Sequence, residues 1–309
     1  MGAISESPFL PTHRSVAESE FQFSRFAANV NCSGTRDTLA CLRSKDTATL
    51  QSADVVSAFP GGPSGVEPDW YFLPVVDGTF SPDYLYNMLE QGRVTKVPVI
   101  VGDDTDEGTG FSPNATTSEE FLQFIQANYP RLTDRDLEAI NNSYPLGSVF
   151  PLHAPWFTPA EMAYGEATFI CPGIEITKSL AHYTSPNKSW NYRYNVYDDS
   201  DEAEGYGVPH VSEKPAIFGP GNAGDCSGCS YLTYNKPIVP IVMNYWISFI
   251  LSLNPNTHKD PAAPEWQPWG THGGQRLKIQ LGETEMEAVP ADQLERCALW
   301  KSLASISEQ

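Results

Sequence analysis

The sequence predicts an α/β chain built on a mostly parallel sheet. Three observations lead there: strand and helix signals alternate from the N-terminus, the clearest strand, Val97-Pro-Val-Ile-Val101, is apolar without interruption, and the loop after it is acidic and punctuated by glycine. An apolar run without polar alternation suits a strand covered by helices on both faces, the environment of a parallel sheet. Open α/β sheets place their chemistry in loops beyond the carboxyl ends of the strands, so residues 102–110 form the first candidate site.

Each element has its own signal. Residues 2–7 read as a short strand. Ser15-Val-Ala-Glu18 is a capping-box pattern that opens a helix with Val16, Phe23, Phe26, Ala27 and Val30 on one face. Residues 70–76 read as an apolar strand ended by the turn signal Asp77-Gly78; Ser81-Pro82 starts a helix that Gly92 closes as a left-handed cap. Thr117-Ser-Glu-Glu120 and Thr158-Pro-Ala-Glu161 start two further helices, the second a long one toward His182. Residues 192–197 alternate as a strand, an apolar helix ends near Leu253, a late strand lies near 277–280, and a helix over 291–304 closes the chain. No repeat, low-complexity block or Pro/Gly/Ser linker divides the sequence, so residues 1–309 read as one unit.

Composition excludes several classes. Nineteen Lys and Arg against 38 Asp and Glu leave a net charge of −19, and no basic run occurs, which argues against a nucleic-acid or anionic-membrane partner. Forty per cent hydrophobic and 12% aromatic residues describe a chain with a filled core rather than a disordered or fibrous one. The apolar run 238–253 contains Pro240, Asn244, Ser248 and Ser252 and is too short to span a bilayer, so it reads as a buried helix. The opening MGAISESPFLP has neither a basic flank nor a long apolar stretch, and is not a secretory signal.

Six cysteines are too few for a disulfide-dense scaffold. Cys32 and Cys41 flank the polar turn Ser33-Gly34-Thr35-Arg36, where a bridge would close a small loop and contribute ~2–3 kcal/mol. Cys226-Ser-Gly-Cys229 lacks a second cysteine pair or a histidine at ligand spacing, which favours a loop disulfide or two structural thiols over zinc. Glycosylation sequons begin at Asn31, Asn114, Asn141 and Asn187.

Two loops carry candidate chemistry. Asp103-Asp-Thr-Asp-Glu107-Gly108 holds four carboxylates but not the alternation of a calcium loop, and by itself an acidic turn of this kind is more often a solvated surface loop. Gly207-Val-Pro-His210 presents a histidine with Glu213 nearby; a lone loop histidine is more often an ordinary surface residue. Ser5 and Ser7 lack the tight strand-to-helix turn that exposes a nucleophilic oxygen, so neither reads as catalytic.

Taken together the motifs are more specific. Gly102-Asp-Asp-Thr-Asp-Glu107-Gly108-Thr109 resembles the acid loop of type-B carboxylesterases and lipases, a branch of the α/β-hydrolase superfamily, and the His210 loop resembles that family's catalytic histidine loop. Asn31-Cys-Ser-Gly-Thr-Arg-Asp-Thr-Leu-Ala-Cys41 is similar to its second disulfide loop, Val75-Val-Asp-Gly-Thr to its PVVDG-like turn, and Gln293-Leu-Glu-Arg-Cys-Ala-Leu-Trp300 to the C-terminal signature of fungal members. The resemblance implies a carboxylic ester hydrolase in which Ser, Glu and His act in that chain order, with Glu107 as the acid that orients His210, in preference to Asp103, Asp104 and Asp106. It implies no cofactor and no metal, a small-molecule or lipid ester as substrate, and secretion of the complete protein.

One departure stands out. No serine has Gly two before and two after: Ser112 has Gly110 but Asn114, and Ser230 has Gly228 but Leu232. The run His272-Gly-Gly-Gln275 lies near the C-terminus, far from where the family carries its HGGG-like oxyanion loop. The expectation is therefore the C-terminal part of an α/β-hydrolase fold, a mostly parallel sheet with flanking helices and its N-terminal strands missing. Residues 1–309 would be a single incomplete type-B carboxylesterase domain that keeps the acid and base without the nucleophile. A non-catalytic binding module on an esterase scaffold is the competing expectation, and a zinc hydrolase using Cys226 and Cys229 a poorer third. The ester reading places Glu107 and His210 in hydrogen-bond reach on neighbouring loops, and makes strand 2–7 an open sheet edge.

Overall fold

The computed structural model describes residues 1–57, 63, 65–224, 226, 228–271 and 273–309. Among them, five strands form one sheet in chain order: β1 (Ala3–Glu6), β2 (Val99–Asp104), β3 (Ser189–Tyr194), β4 (Gln275–Ile279) and β5 (Glu285–Ala288). The first four are parallel, with Ala3 opposite Val99, Val99 opposite Ser189 and Tyr192 opposite Leu277. The fifth turns back antiparallel on β4. β2 is buried at every residue, as its unbroken apolar run requires, while β1 forms one edge of the sheet.

The strand period of two divides the core between the faces. Ile100, Trp190, Tyr192, Tyr194, Leu277 and Ile279 join one cluster with Val242, Tyr245 and Trp246 of helix Ile238–Ser252 and with Trp266. Val99 and Val101 face the other way, onto Leu180 and Ile176 of helix Cys171–Tyr183. The apolar run near 238–253 is thus a core helix on one side. Its Ile247, Ile250 and Leu251 stay exposed, and no helix among the described residues is long and apolar enough to cross a membrane.

Several local signals act as read. Ser15 and Glu18 form the capping box of helix Val16–Asn29, with Ser15 N donating to Glu18 Oε2 at 2.8 Å and Glu18 N to Ser15 Oγ at 3.2 Å. Thr117 caps helix Ser118–Asn128, Gly92 adopts φ +63° after helix Leu85–Glu90, and helix Ala291–Ser307 closes the chain.

Others do not. Residues 70–76 make no strand: Pro74 has no N–H to give to a ladder, the segment holds only a single bridge between Arg14 and Val75, and Gln22 Nε2 takes the Tyr71 carbonyl. The helix expected at Ser81-Pro82 begins at Leu85, because Ser81 is consumed in a turn whose N–H donates to Asp77 Oδ1 at 3.0 Å. The long helix expected from Thr158 toward His182 does form, one residue earlier: it starts at Phe157 (Phe157–Gly165) and runs on through a π turn, Glu166–Ile170, into Cys171–Tyr183. β5, Glu285-Met-Glu-Ala288, carries no strand signal in the sequence, because it is short and half exposed.

All six cysteines pair: Cys32 with Cys41, Cys171 with Cys297, and Cys226 with Cys229. The second bridge ties the start of the long inner helix to the last helix across 126 residues of sequence. Among the sequons, Asn31, Asn114 and Asn187 are exposed and Asn141 is half-buried.

Candidate active site

The acidic run begins inside β2, so the strand delivers its carboxylates to fixed positions at the sheet's carboxyl end. The neighbouring β3 leads toward the His210 loop, and the two loops are zipped together. Asp106 N donates to Val208 O at 3.0 Å, and Asp106 Oδ2 accepts from Val208 N at 2.8 Å. Thr109 Oγ1 reaches Tyr206 O at 3.1 Å. Gly108 is obligatory here, since a Cβ would collide with the Glu161 carbonyl of helix Phe157–Gly165.

This zipper brings residues 103 apart in sequence into contact: His210 Nδ1 donates to Glu107 Oε2 at 2.6 Å. Glu107 is buried, and its other oxygen accepts from Ser7 Oγ at 2.6 Å and from Asp104 N at 2.7 Å. With every aimed donor placed, the carboxylate cannot rotate, and the imidazole plane is set by it. The His210 ring lies 4.6 Å from Phe169 on the π turn and 5.4 Å from Phe111, centroid to centroid, with its side chain 26% exposed. Its Nε2 has no hydrogen-bond partner among the described residues.

The other acidic residues have different tasks. Asp104 Oδ2 accepts from Val211 N at 2.7 Å, while Asp106 holds Val208, so the histidine is pinned from both sides of its own chain. Burial raises the Asp106 carboxyl to about 6, opposed by the Val208 hydrogen bond. Asp103 and Asp104, buried in the sheet end, are pushed well above the usual carboxylate range by desolvation, with neighbouring carboxylates adding to it.

The structure therefore brings Glu107 and His210 together and keeps Asp103, Asp104 and Asp106 off the ring. Sequence reasoning weighed Ser7 only as a nucleophile and missed it as a partner of Glu107, toward which its φ of +50° turns it out of the strand. The only signal for it was the following Pro8, which disfavours a continued regular strand. It also passed over Phe111 and Phe169, which no spacing rule connects to a histidine. Cys226 and Cys229 are joined to each other, and the groups around them do not make a cluster of three or more metal-ligating side chains among the described residues. Ser112 Oγ and Ser230 Oγ are buried, the first without a partner, the second accepting from Asn235 Nδ2. Gly273 and Gly274 are described, whereas His272 lies outside the described residues.

A parallel sheet with an acid loop and a histidine loop meeting beyond its carboxyl end defines an α/β hydrolase. The model of the carboxylesterase family matches residues 1–300, and the chain belongs to that family. The chain is 25% identical over 298 residues to Secreted lipase 4 of Gibberella zeae, covering 91% of this chain and 50% of that protein. It is 32% identical over 253 residues to Lipase 2 of Diutina rugosa, covering 81% of this chain and 43% of that protein. Among solved structures, the crystal structure of Aspergillus niger EstA superposes with a TM-score of 0.95 at 52% identity, over 100% of this chain and 59% of that one. The chain spans about half the length of the curated relatives it matches.

Proposed function

We propose that the chain is the acid–base portion of a carboxylic ester hydrolase that works by a Ser–Glu–His mechanism. The observation that carries the reading is the Glu107–His210 pair: Nδ1 is committed to a buried carboxylate, and Nε2 is left free among the described residues. That is the arrangement of a general base awaiting a nucleophile. His210 Nε2 takes the proton from a serine hydroxyl as its oxygen attacks the ester carbonyl, then returns it to the departing alkoxide; water repeats the cycle on the acyl-enzyme. Glu107 keeps Nδ1 protonated and stabilises the imidazolium formed in between.

The serine and the oxyanion donors come from sequence outside this chain, since none of its serines sits in a Gly-Xaa-Ser-Xaa-Gly elbow. Support comes from the edge position of β1 and from exposed Ile247, Ile250 and Leu251 on the helix that packs against Gly2, a face suited to further strands and their cover. Aromatic rings beside His210, with Phe111 6.2 Å from Trp70 and Phe169 5.7 Å from Phe9, suit an apolar acyl or alkyl group. The lipase names of the relatives agree with a lipid or small ester. Three disulfides and the exposed sequons at Asn31, Asn114 and Asn187 support a secreted glycoprotein. A pure binding module has no use for a histidine held so completely.

The test is to treat the purified chain with a fluorophosphonate probe and p-nitrophenyl esters, then repeat with the part of EstA that this chain does not cover fused ahead of it. The chain alone stays unlabelled and inactive, because loss of a triad nucleophile costs about 10⁶ in rate; the fusion labels and hydrolyses. Stoichiometric labelling of the chain alone overturns the division of labour. A cooperatively folded fusion that hydrolyses nothing overturns the hydrolase reading.

A further inference from the structure

Beneath the His210 loop lie two carboxyls that the proton-transfer steps do not use. Asp104 is fully buried and Glu213 is 1% exposed. Asp104 Oδ2 is occupied by Val211 N–H at 2.7 Å, and Glu213 Oε1 receives the Tyr192 hydroxyl at 3.2 Å. Their remaining oxygens, Asp104 Oδ1 and Glu213 Oε2, are shut off from solvent and meet no N–H or O–H donor among the described residues, and the two carboxyls act directly on one another, a hydrogen bond between them raising Asp104 and lowering Glu213. Two ionised carboxylates cannot occupy such a place together, whereas one proton between them satisfies both.

What the pair holds is unusual. Val211, next to His210 in the chain, has φ +70°, a conformation that a β-branched residue rarely adopts and that persists only where its surroundings impose it. The hydrogen bond from Val211 N to Asp104 is the imposing contact on this side, and Tyr231 Oη adds another by donating to Ser212 O at 2.9 Å. We infer that Asp104 and Glu213 share one proton and act as a positioning pair, fixing Val211 and through it the His210 imidazole against Glu107.

The charges facing the pair agree. Asp103 and Glu107 come from the acid loop, Glu6 from β1, Tyr192 and Tyr194 from β3 and Tyr231 from the short turn Ser230–Leu232. Among the described residues the cation acting on this group, Arg276 through Asp103, is already bound to Glu287 at 2.7 Å. Burial is the first cause that drives both carboxyls toward the protonated form, and neighbouring negative charge adds to it. As pH rises, the shared proton is lost, the two charges repel, and Val211 is released.

The proposal rests on His210 as the general base, but its test reads structure and stands apart from hydrolysis. In the chain labelled with ¹³C at its Asp and Glu carboxyls and with ¹⁵N in histidine, one proton stays on the pair at neutral pH and leaves above it. Once it leaves, the His210 Nδ1 proton exchanges about tenfold faster. Asp104→Asn preserves the slow Nδ1 proton and removes that pH dependence, because its amide accepts from Val211 and donates to Glu213. Asp104→Ala loses the slow proton at every pH. Should the alanine variant fail to fold, the wild-type titration and the asparagine profile decide alone. Ionisation of both carboxyls below pH ~5, as in an ordinary exposed pair, overturns the inference. So does equal Nδ1 protection in wild type and the alanine variant.

Discussion

Glu107→Gln tests the site at its most constrained atom pair. Glu107 Oε1 receives two donors, Ser7 Oγ and the rigid Asp104 N–H, and Oε2 receives His210 Nδ1. A glutamine has one acceptor and one donor end, and its NH₂ cannot face Asp104 N–H. The amide nitrogen must therefore take the Oε2 position and point its hydrogens at Nδ1. His210 then flips to the tautomer with Nδ1 bare and Nε2 protonated, and Nε2 can no longer accept a proton from the nucleophile. The fold loses charge assistance in three hydrogen bonds but keeps the contacts, a cost of ~1–3 kcal/mol. Turnover falls by about 10⁴, or ~5 kcal/mol of transition-state stabilisation. ¹⁵N spectra of histidine-labelled chain report the tautomer, and p-nitrophenyl ester hydrolysis by the fused protein reports turnover. A variant whose Nδ1 remains protonated, or whose turnover falls less than about tenfold, contradicts the orienting role.

Three further outcomes are expected. Replacing Cys171 and Cys297 by alanine lowers unfolding free energy in urea by ~4–5 kcal/mol against ~2–3 for Cys32 and Cys41, because the loops closed span 126 and 9 residues; equal losses contradict the loop-length account. Gly108→Ala forces the acid loop off the Glu161 carbonyl, costing about 1–3 kcal/mol and the slow His210 Nδ1 proton, and a variant with wild-type spectra and stability contradicts that packing. Asp106 is raised from 3.8 to about 6, so between those values the folded chain holds a proton that the unfolded chain has released, and stability falls as pH rises through the window. Asp106→Asn removes that fall, worth up to ~3 kcal/mol, in urea titrations from pH ~4 to ~8; an unchanged slope refutes it.

Much of this was legible locally. The box at Ser15 and Glu18, the cap at Thr117 and the apolar run into β2 depend on neighbours a few residues away, and the structure keeps them. Local signals failed where another partner, near or distant in the chain, claimed the same group. Ser81 closed a turn on Asp77 instead of capping a helix, and the carbonyls of Tyr71 and Pro74 went to Gln22 and Arg14 rather than to a ladder.

The candidate site divides along the same line. By itself the sequence determined the family-like order of the acid and histidine loops, their glycine punctuation, and the absence from this chain of a Gly-Xaa-Ser-Xaa-Gly elbow. The resemblance of the acid loop singled out Glu107, and the structure sets it against the imidazole; only the tertiary structure decided that Ser7 steadies it, that Asp104 and Asp106 clamp the histidine's backbone, and that Cys171 finds Cys297. The reason is physical. Four carboxylates in six residues are chemically alike along the chain, and they become different only when β2 aims each at a separate donor on a loop about a hundred residues away.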